Sequence, residues 1–254
     1  MNDMSKQKQT RKIQVNIDNI DAKVVYHTYK GIETNTLLLA FNEKRTILST
    51  VDGLKKKSFA ANTYISPPLE KLIDTMAANK KYEKKLSKLF QIDPKQISFM
   101  GTGINMEKLA VSEKSYKHLK VCCIATGGAK NNALRMGVDS GDWVEVNKNF
   151  EFATGTINVI ILTNTALTSG AMARAIMTAT EAKTAALQDL HYMSTPSPQV
   201  QATGTGTDTM IVVSGIDKQN TIHYTGGHTK MGELIAKAAK EAVTQALKNF
   251  DGVT

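Results

Sequence analysis

A mixed α/β fold built in layers is predicted by three features of the 254-residue sequence. Short β-rich runs follow one another over residues 12–51, and strands and helices alternate through the second half. Between them, an apolar, β-branched run from Ile157 to Leu162 leads directly into a long amphipathic helix. Sheets covered by helices accommodate all three. A chain of this length can bury a sizeable core, so one large domain over 12–254 is expected behind a frayed tail at 1–11.

In chain order, KIQVNID, AKVVYHTY, TLLLAF and RTILST are separated by DNIDA, KGIETN and NEK, the pattern of a meander or hairpins. Residues 53–66 carry turn chemistry and a lysine triplet. Pro67 and Pro68 open a helix through LEKLIDTMAAN, and a second, charged helix is expected up to Phe90. ISFMGTG (97–103) and HLKVCCIATGG (118–128) read as short strands that end in glycines. Asn131 and Asn132 then form a turn ahead of Ala133–Met136 and the polar DSGDW loop. After the central strand, Thr168 or Ser169 caps a helix whose residues 175, 176, 179, 182, 186, 187 and 190 form one apolar stripe. MIVVSG is a further strand, and a last helix is expected over about 229–249, with Met231, Leu234, Ile235, Ala238 and Ala242 on one face.

The net charge of +9 sits in one half: residues 1–130 hold 23 Lys and Arg against 12 Asp and Glu. Clustered lysines can neutralise phosphates, but these lie on amphipathic stretches such as NKKYEKKLSK with few aromatics and few arginines, so a solvated face is favoured over nucleic-acid binding. Cys122 and Cys123 are neighbours in a strand-like run, point to opposite faces and suit neither a disulfide nor a metal site. They read as buried thiols of a reducing compartment. The polar N-terminus and the lack of any long apolar segment make a cytoplasmic chain without a membrane span the expectation. A homo-oligomer is left open.

Candidate chemistry gathers around few residues. Thr156 stands behind Gly155 at the entrance of the central strand, and a threonine hydroxyl is a nucleophile only when a base takes its proton. Lys183 falls in the middle of the apolar helix stripe, where a cation is either a snorkelling edge residue or a site residue with a partner. Three glycine-rich turns, ATGGAKNN (125–132), ATGTGTD (202–208) and TGGHTK (225–230), can present backbone N–H groups to an anion, although each is also ordinary turn punctuation. None is a Walker or dinucleotide loop. Asp208 ends the second turn and His228 lies in the third at a helix start. His27, His118, His191 and His223 are read as surface or satisfied core histidines.

GTINVIILTNTALTSGAMARAIMTATEAKTAALQDL, followed by ATGTGTD and GGHTKMGELIAKA, closely resembles the adenosylcobinamide amidohydrolase family from about Val121 to Ala246. The resemblance implies a hydrolase that cuts the amide joining aminopropanol to a corrin side chain and releases adenosylcobyric acid. No cofactor of the protein's own is expected, since the cobalt corrinoid is the substrate; no metal ligands are named from the sequence, and a metal requirement is left open. Gly155-Thr156 and the polar turn further on also resemble the catalytic chain of the self-processing β-peptidyl aminopeptidases. That family implies a four-layer α-β-β-α sandwich in which Thr156 falls on the nucleophile, and Thr205, Thr207 or Asp208 near the supporting hydroxyl and carboxylate.

The expected site then has Thr156, Lys183, Asp208 and His228 as catalytic groups. Gly127, Gly128, Asn131, Asn132, Asn164, Thr205, Thr207 and Gly227 are expected to contact the substrate. Attack by Thr156 and attack by a water activated by His228 or Asp208 both stay open, as does a corrinoid carrier that hydrolyses nothing.

Overall fold

The computed structural model describes residues 9–141 and 156–253. Gly155, residues 1–8 of the expected tail and the end of the DSGDW loop lie outside these. The chain opens with β1 (Gln9–Ile13), β2 (Ile20–Tyr29), β3 (Ile32–Ser49) and β4 (Gly53–Tyr64), each antiparallel to the one before. Lys30 and Gly31, with φ of 49° and 82°, make the tight β2–β3 turn, a geometry that suits the twist of the strands. After α1 (Pro67–Glu70) and α2 (Met76–Leu89), β5 (Ile97–Thr102) adds in parallel to β4. The hairpin of β6 (Ala110–Tyr116) and β7 (Leu119–Gly127) precedes the short β8 (Ala133–Leu134). The central strand β9 (Ile157–Thr163) lies against β7, and β10 (Thr165–Leu167) leads to α3 (Ser169–Asp189). β11 (Gly204–Thr205), β12 (Thr209–Val213), β13 (Asp217–Ile222) and α4 (Lys230–Asp251) complete the chain.

β3 joins the two halves. Its first part pairs with β2, and its last residues pair with β12, which continues through β9 and β7 to β6. The strands therefore form two layers that share one strand. Between them lie Val24, Leu37, Leu39, Phe41 and Met100 from one layer, and Cys122, Ile124, Ile160, Leu162 and Ile211 from the other. Residues of opposite parity on β7, β9 and β12, among them Cys123, Val159, Ile161 and Val212, meet α3 and α4. On the far side Leu69 of α1 and Tyr82 and Leu86 of α2 pack with Tyr29. The order is helices, sheet, sheet, helices, in keeping with the layered α/β fold expected from the residues and the four layers that the resemblance implies, and Cys122 and Cys123 do point into different layers. Burial pushes both thiols up, which keeps them protonated and unreactive. None of the described helices is long and apolar enough to cross a membrane.

Several expectations change. Residues 9–11 belong to β1, held by Tyr26, Val25 and Val24, so the tail is shorter than its polar composition implies. TLLLAF and RTILST are one strand; the intervening NEK is absorbed where the β3–β4 register shifts between Ala40 and Arg45. Residues 53–64 form β4, not a turn. The lysine triplet fits because Lys55 and Lys56 face solvent while Lys57 is buried, its Nζ donating to the Ile97 carbonyl at 3.1 Å. The expected first helix breaks after Glu70, and Thr75 starts α2 by accepting the Ala78 N–H. AVSEKSY, unassigned from sequence, is the edge strand β6.

His27 on β2 is 2% exposed, with Nε2 3.0 Å from Thr36 Oγ1 and its ring edge-on to Phe90. Burial lowers its pKa to about 4. The fold keeps the ring neutral while the unfolded chain takes up a proton near pH 6.5, so this contribution is complete above that pH and is lost as the pH falls towards 4. Urea unfolding at pH 7 and pH 4.5 should show the wild type losing about 2.5 kcal/mol more than His27→Gln over that interval. Equal losses would refute the assignment.

Candidate active site

At one pole of the sandwich four strand ends stand in a row. In the order β3, β12, β9, β7, the chain leaves β3 at Val51, enters β12 at Thr209, enters β9 from Thr156 and leaves β7 at Gly128. β9 and β12 are parallel, with Thr209 opposite Asn158, which brings two threonine hydroxyls to the same edge. The Thr156 carbonyl accepts the Gly128 N–H at 3.2 Å, and the Thr50 N–H donates to the Met210 carbonyl at 3.0 Å, so both outer turns are tied to this edge.

Behind the edge, Asp208 receives four donors. Its Oδ1 accepts the Ile157 N–H at 3.1 Å and the Thr205 hydroxyl at 2.5 Å, and its Oδ2 accepts the Thr205 N–H at 3.1 Å and Lys183 Nζ. Lys183 comes from the fourth turn of α3 and is 5% exposed. The sequence left it as an edge residue or a partnered site residue; it is partnered. Gly204 leaves room for the pair, since a Cβ there would lie 2.5 Å from both Asp208 Oδ2 and Lys183 Nζ. The carboxylate thus fixes the entrance of β9, the 204–208 turn and α3 to one another.

The Thr156 hydroxyl donates to the Thr207 carbonyl at 2.7 Å and lies 3.2 Å from Asn158 Oδ1. Asn158, wholly buried, accepts the Thr209 hydroxyl at 2.6 Å and donates to Asn62 Oδ1 at 3.0 Å and to the Gly101 carbonyl at 2.9 Å. Asn62 in turn donates to Thr126 Oγ1 at 3.0 Å. Every hydrogen-bonding group of the Asn158 side chain is satisfied, as burial demands, and the network ties both sheets together beneath the hydroxyls.

A cavity of about 480 Å³ opens over this edge. Thr156, Thr207 and Thr209 lie on one side of it, Tyr82, Glu83 and Leu86 of α2 on another, and Lys130, Asn131, Asn132 and Phe250 on a third. Gly128 is needed at its place, because a Cβ would stand 2.7 Å from both Ile104 Cδ1 and Phe250 Cδ1. The Asp251 carboxylate, at the end of α4, accepts the Ala129 N–H at 2.9 Å and the Tyr192 hydroxyl at 2.6 Å, which holds the 128–132 turn against that helix. Burial, with Asp52 nearby, raises the Glu83 carboxyl above its ordinary range.

The structure therefore brings together Thr156, Lys183, Asp208, Thr205, Thr207, Gly128, Asn131 and Asn132. Gly127 is close but faces α4, where Leu247 lies 3.3 Å from a Cβ built on it. Asn164, Gly227 and His228 are at the other pole. Asn164 follows the far end of β9, about 26 Å along the strand from Thr156, and clamps the β6–β7 turn by accepting the Lys120 N–H and donating to the His118 carbonyl. His228 is exposed just before α4, whose opposite end lines the cavity about 33 Å away. The third glycine turn is thus remote from Thr156. In the first, the Gly128 and Ala129 N–H groups are already engaged, and in the second so is that of Thr205.

A model of the family described as adenosylcobinamide amidohydrolase matches residues 20–254. The chain belongs to this family. The match extends well upstream of Val121, where the family resemblance is less distinct. An uncharacterized protein of Methanocaldococcus jannaschii is 42% identical over 231 residues, 87% of this chain and 89% of that one. The adenosylcobinamide amidohydrolase of Methanosarcina mazei is 30% identical over 155 residues, 58% of this chain and 64% of that one. Among solved structures, the L-aminopeptidase D-Ala-esterase/amidase of Ochrobactrum anthropi superposes with a TM-score of 0.44 at 8% identity, over 91% of this chain and 84% of that one.

In this adenosylcobinamide amidohydrolase family member, Asn158, Thr209, Asn62 and Phe250 escape a reading of the sequence. Asn158 had a signal: an amide inside an otherwise apolar β run has to be paid for by partners. If the Lys183–Asp208 pair organises the edge, Asp208→Ala, which strands a buried ammonium, should lower the unfolding free energy by about 3–5 kcal/mol. The double variant Asp208→Ala/Lys183→Met should lose clearly less than the sum of the single losses in urea unfolding; additive losses would show that the two groups are uncoupled.

Proposed function

We propose that the protein hydrolyses the amide between aminopropanol and the corrin side chain of adenosylcobinamide, giving adenosylcobyric acid, with Thr156 as nucleophile. The observation that carries this reading is a threonine hydroxyl on a cavity wall, at the entrance of a buried strand, close to the pair formed by the buried Lys183 ammonium and the partly buried Asp208 carboxylate. Family membership supports this substrate class.

In the proposed reaction the Thr156 hydroxyl turns from the Thr207 carbonyl and attacks the amide carbonyl carbon. Its proton passes to the Asp208 carboxylate, the unprotonated member of the Lys183–Asp208 pair, and the oxyanion is met by donors of the Lys130–Asn132 segment, which lines the same cavity. Collapse breaks the C–N bond, and the departing nitrogen takes the proton back as aminopropanol leaves. A water then adds to the Thr156 ester. Its breakdown releases the carboxylic acid and restores the hydroxyl. Asn158 and Thr209 hold the hydroxyl in place. His228 has no part in this scheme, because its helix separates it from the cavity.

Incubation with adenosylcobinamide should release aminopropanol and adenosylcobyric acid in equal amounts. Thr156→Ala should reduce the rate by at least about a thousandfold. Thr156→Ser should keep measurable turnover and His228→Ala should be close to wild type. A Thr156→Ala enzyme within about tenfold of wild type would replace the hydroxyl by water as nucleophile, and a wild-type protein that releases no aminopropanol would overturn the hydrolytic reading.

A further inference from the structure

The row of strand ends has a symmetry that the proposed chemistry does not use. Its two inner positions are the hydroxyls of Thr209 and Thr156; its two outer positions are apolar. Val51, beyond β3, is 60% exposed, and Phe250, packed against Gly128 beyond β7, is 45% exposed, yet both line the cavity. Three strand spacings separate the outer turns, about 14 Å. Large apolar side chains left in water at a cavity mouth mark a surface made for an apolar ligand.

Size and charge say what that ligand is. A cavity of about 480 Å³ takes a drug-sized group, whereas an adenosylated corrin is far larger, so only its amide arm can enter. The chain carries a net charge of +9, but among the described residues the cavity walls carry the carboxylates of Glu70, Glu83 and Asp251 against the ammonium of Lys130. This local inversion favours a cation. Cobalt(III) held by a monoanionic corrin and an adenosyl carbanion is a monocation with a flat ring whose edge carries methyl groups as well as amide arms.

We infer that the corrin ring docks outside the cavity, across the apolar rim formed by Val51 and Phe250, while its aminopropanol arm descends between them to Thr156. This inference rests on the proposed substrate. It makes Val51 and Phe250 specificity-determining residues that take no part in bond making, with Glu70 adding a charge preference at the wall.

The test is binding without turnover. Thr156→Ala protein is titrated with adenosylcobinamide and followed by the corrin absorption band. Adding Val51→Ser and Phe250→Ser should weaken the Kd by about tenfold or more, and adding Glu70→Lys should weaken it by about threefold at low salt and less at high salt. Tyr224→Ser, an exposed aromatic change at the other pole, should leave the Kd as it was. If Phe250→Ser disturbs folding, as circular dichroism would reveal, Val51→Ser alone gives the same readout from an exposed turn. A Kd within about twofold of the parent in the folded rim variants would overturn the inference. That failure is distinct from failure of the hydrolytic reading: rim variants that bind unchanged in an enzyme that releases aminopropanol sink only the docking surface. A wild type that binds through the rim but releases nothing sinks only the hydrolysis.

Discussion

A single, largely covered carboxylate organises this molecule's chemistry. Asp208 closes the turn before β12, accepts the first N–H of β9 and neutralises an ammonium sent in from α3. Three segments that are far apart in sequence meet on its two oxygens. An ion pair this deep is costly to form, and substituting apolar residues for both partners would often be no worse for stability. Its retention is understandable if the orientation it imposes matters more than the free energy it contributes: with four donors in place, Asp208 cannot turn, and the strand that begins at Thr156 cannot shift relative to the turn that holds Thr207.

The Asn158 network does for the two sheets what Asp208 does for the helix layer. Amides on β4 and β9, a hydroxyl on β7 and another on β12 are linked in one satisfied chain directly beneath the site. Further along β3 the buried polar groups on this face are Asn35, which accepts the Met106 N–H, and Arg45, which donates to the Asp18 carbonyl. The reactive edge is thus rigid on its protein side, and adaptability is confined to the α1–α2 wall and the exposed mouth.

Much of this was legible in the residues. The 3.6-residue stripe of α3 showed which face is buried, and a lysine within it had to be either a snorkelling edge residue or a partnered one; the turn that supplies Asp208 was visible as a glycine- and threonine-rich break before a strand. Other parts were hidden for definite reasons. β4 was masked because its outward lysines and leading glycine imitate a turn, and only pairing with β3 on one side and β5 on the other reveals the strand. His228 was attractive because a glycine-rich turn before a helix looks the same at either pole. What separates the poles is the parity of chain crossings, which local patterns do not encode. Asn158 lay inside an apolar run and Phe250 at the end of an amphipathic helix, and neither position announces that a cavity will form beside it.

β3 is counted in both sheets, and this has a bearing on how the site can open. Two sheets in separate registry could glide over each other to widen a cleft, but a strand about 59 Å long that is stitched into each of them welds the layers at a common hinge line. Ligand entry must then be accommodated by the helical cover or by side chains at the lip, while the hydroxyl-bearing edge stays where it is, like the fixed jaw of a vice.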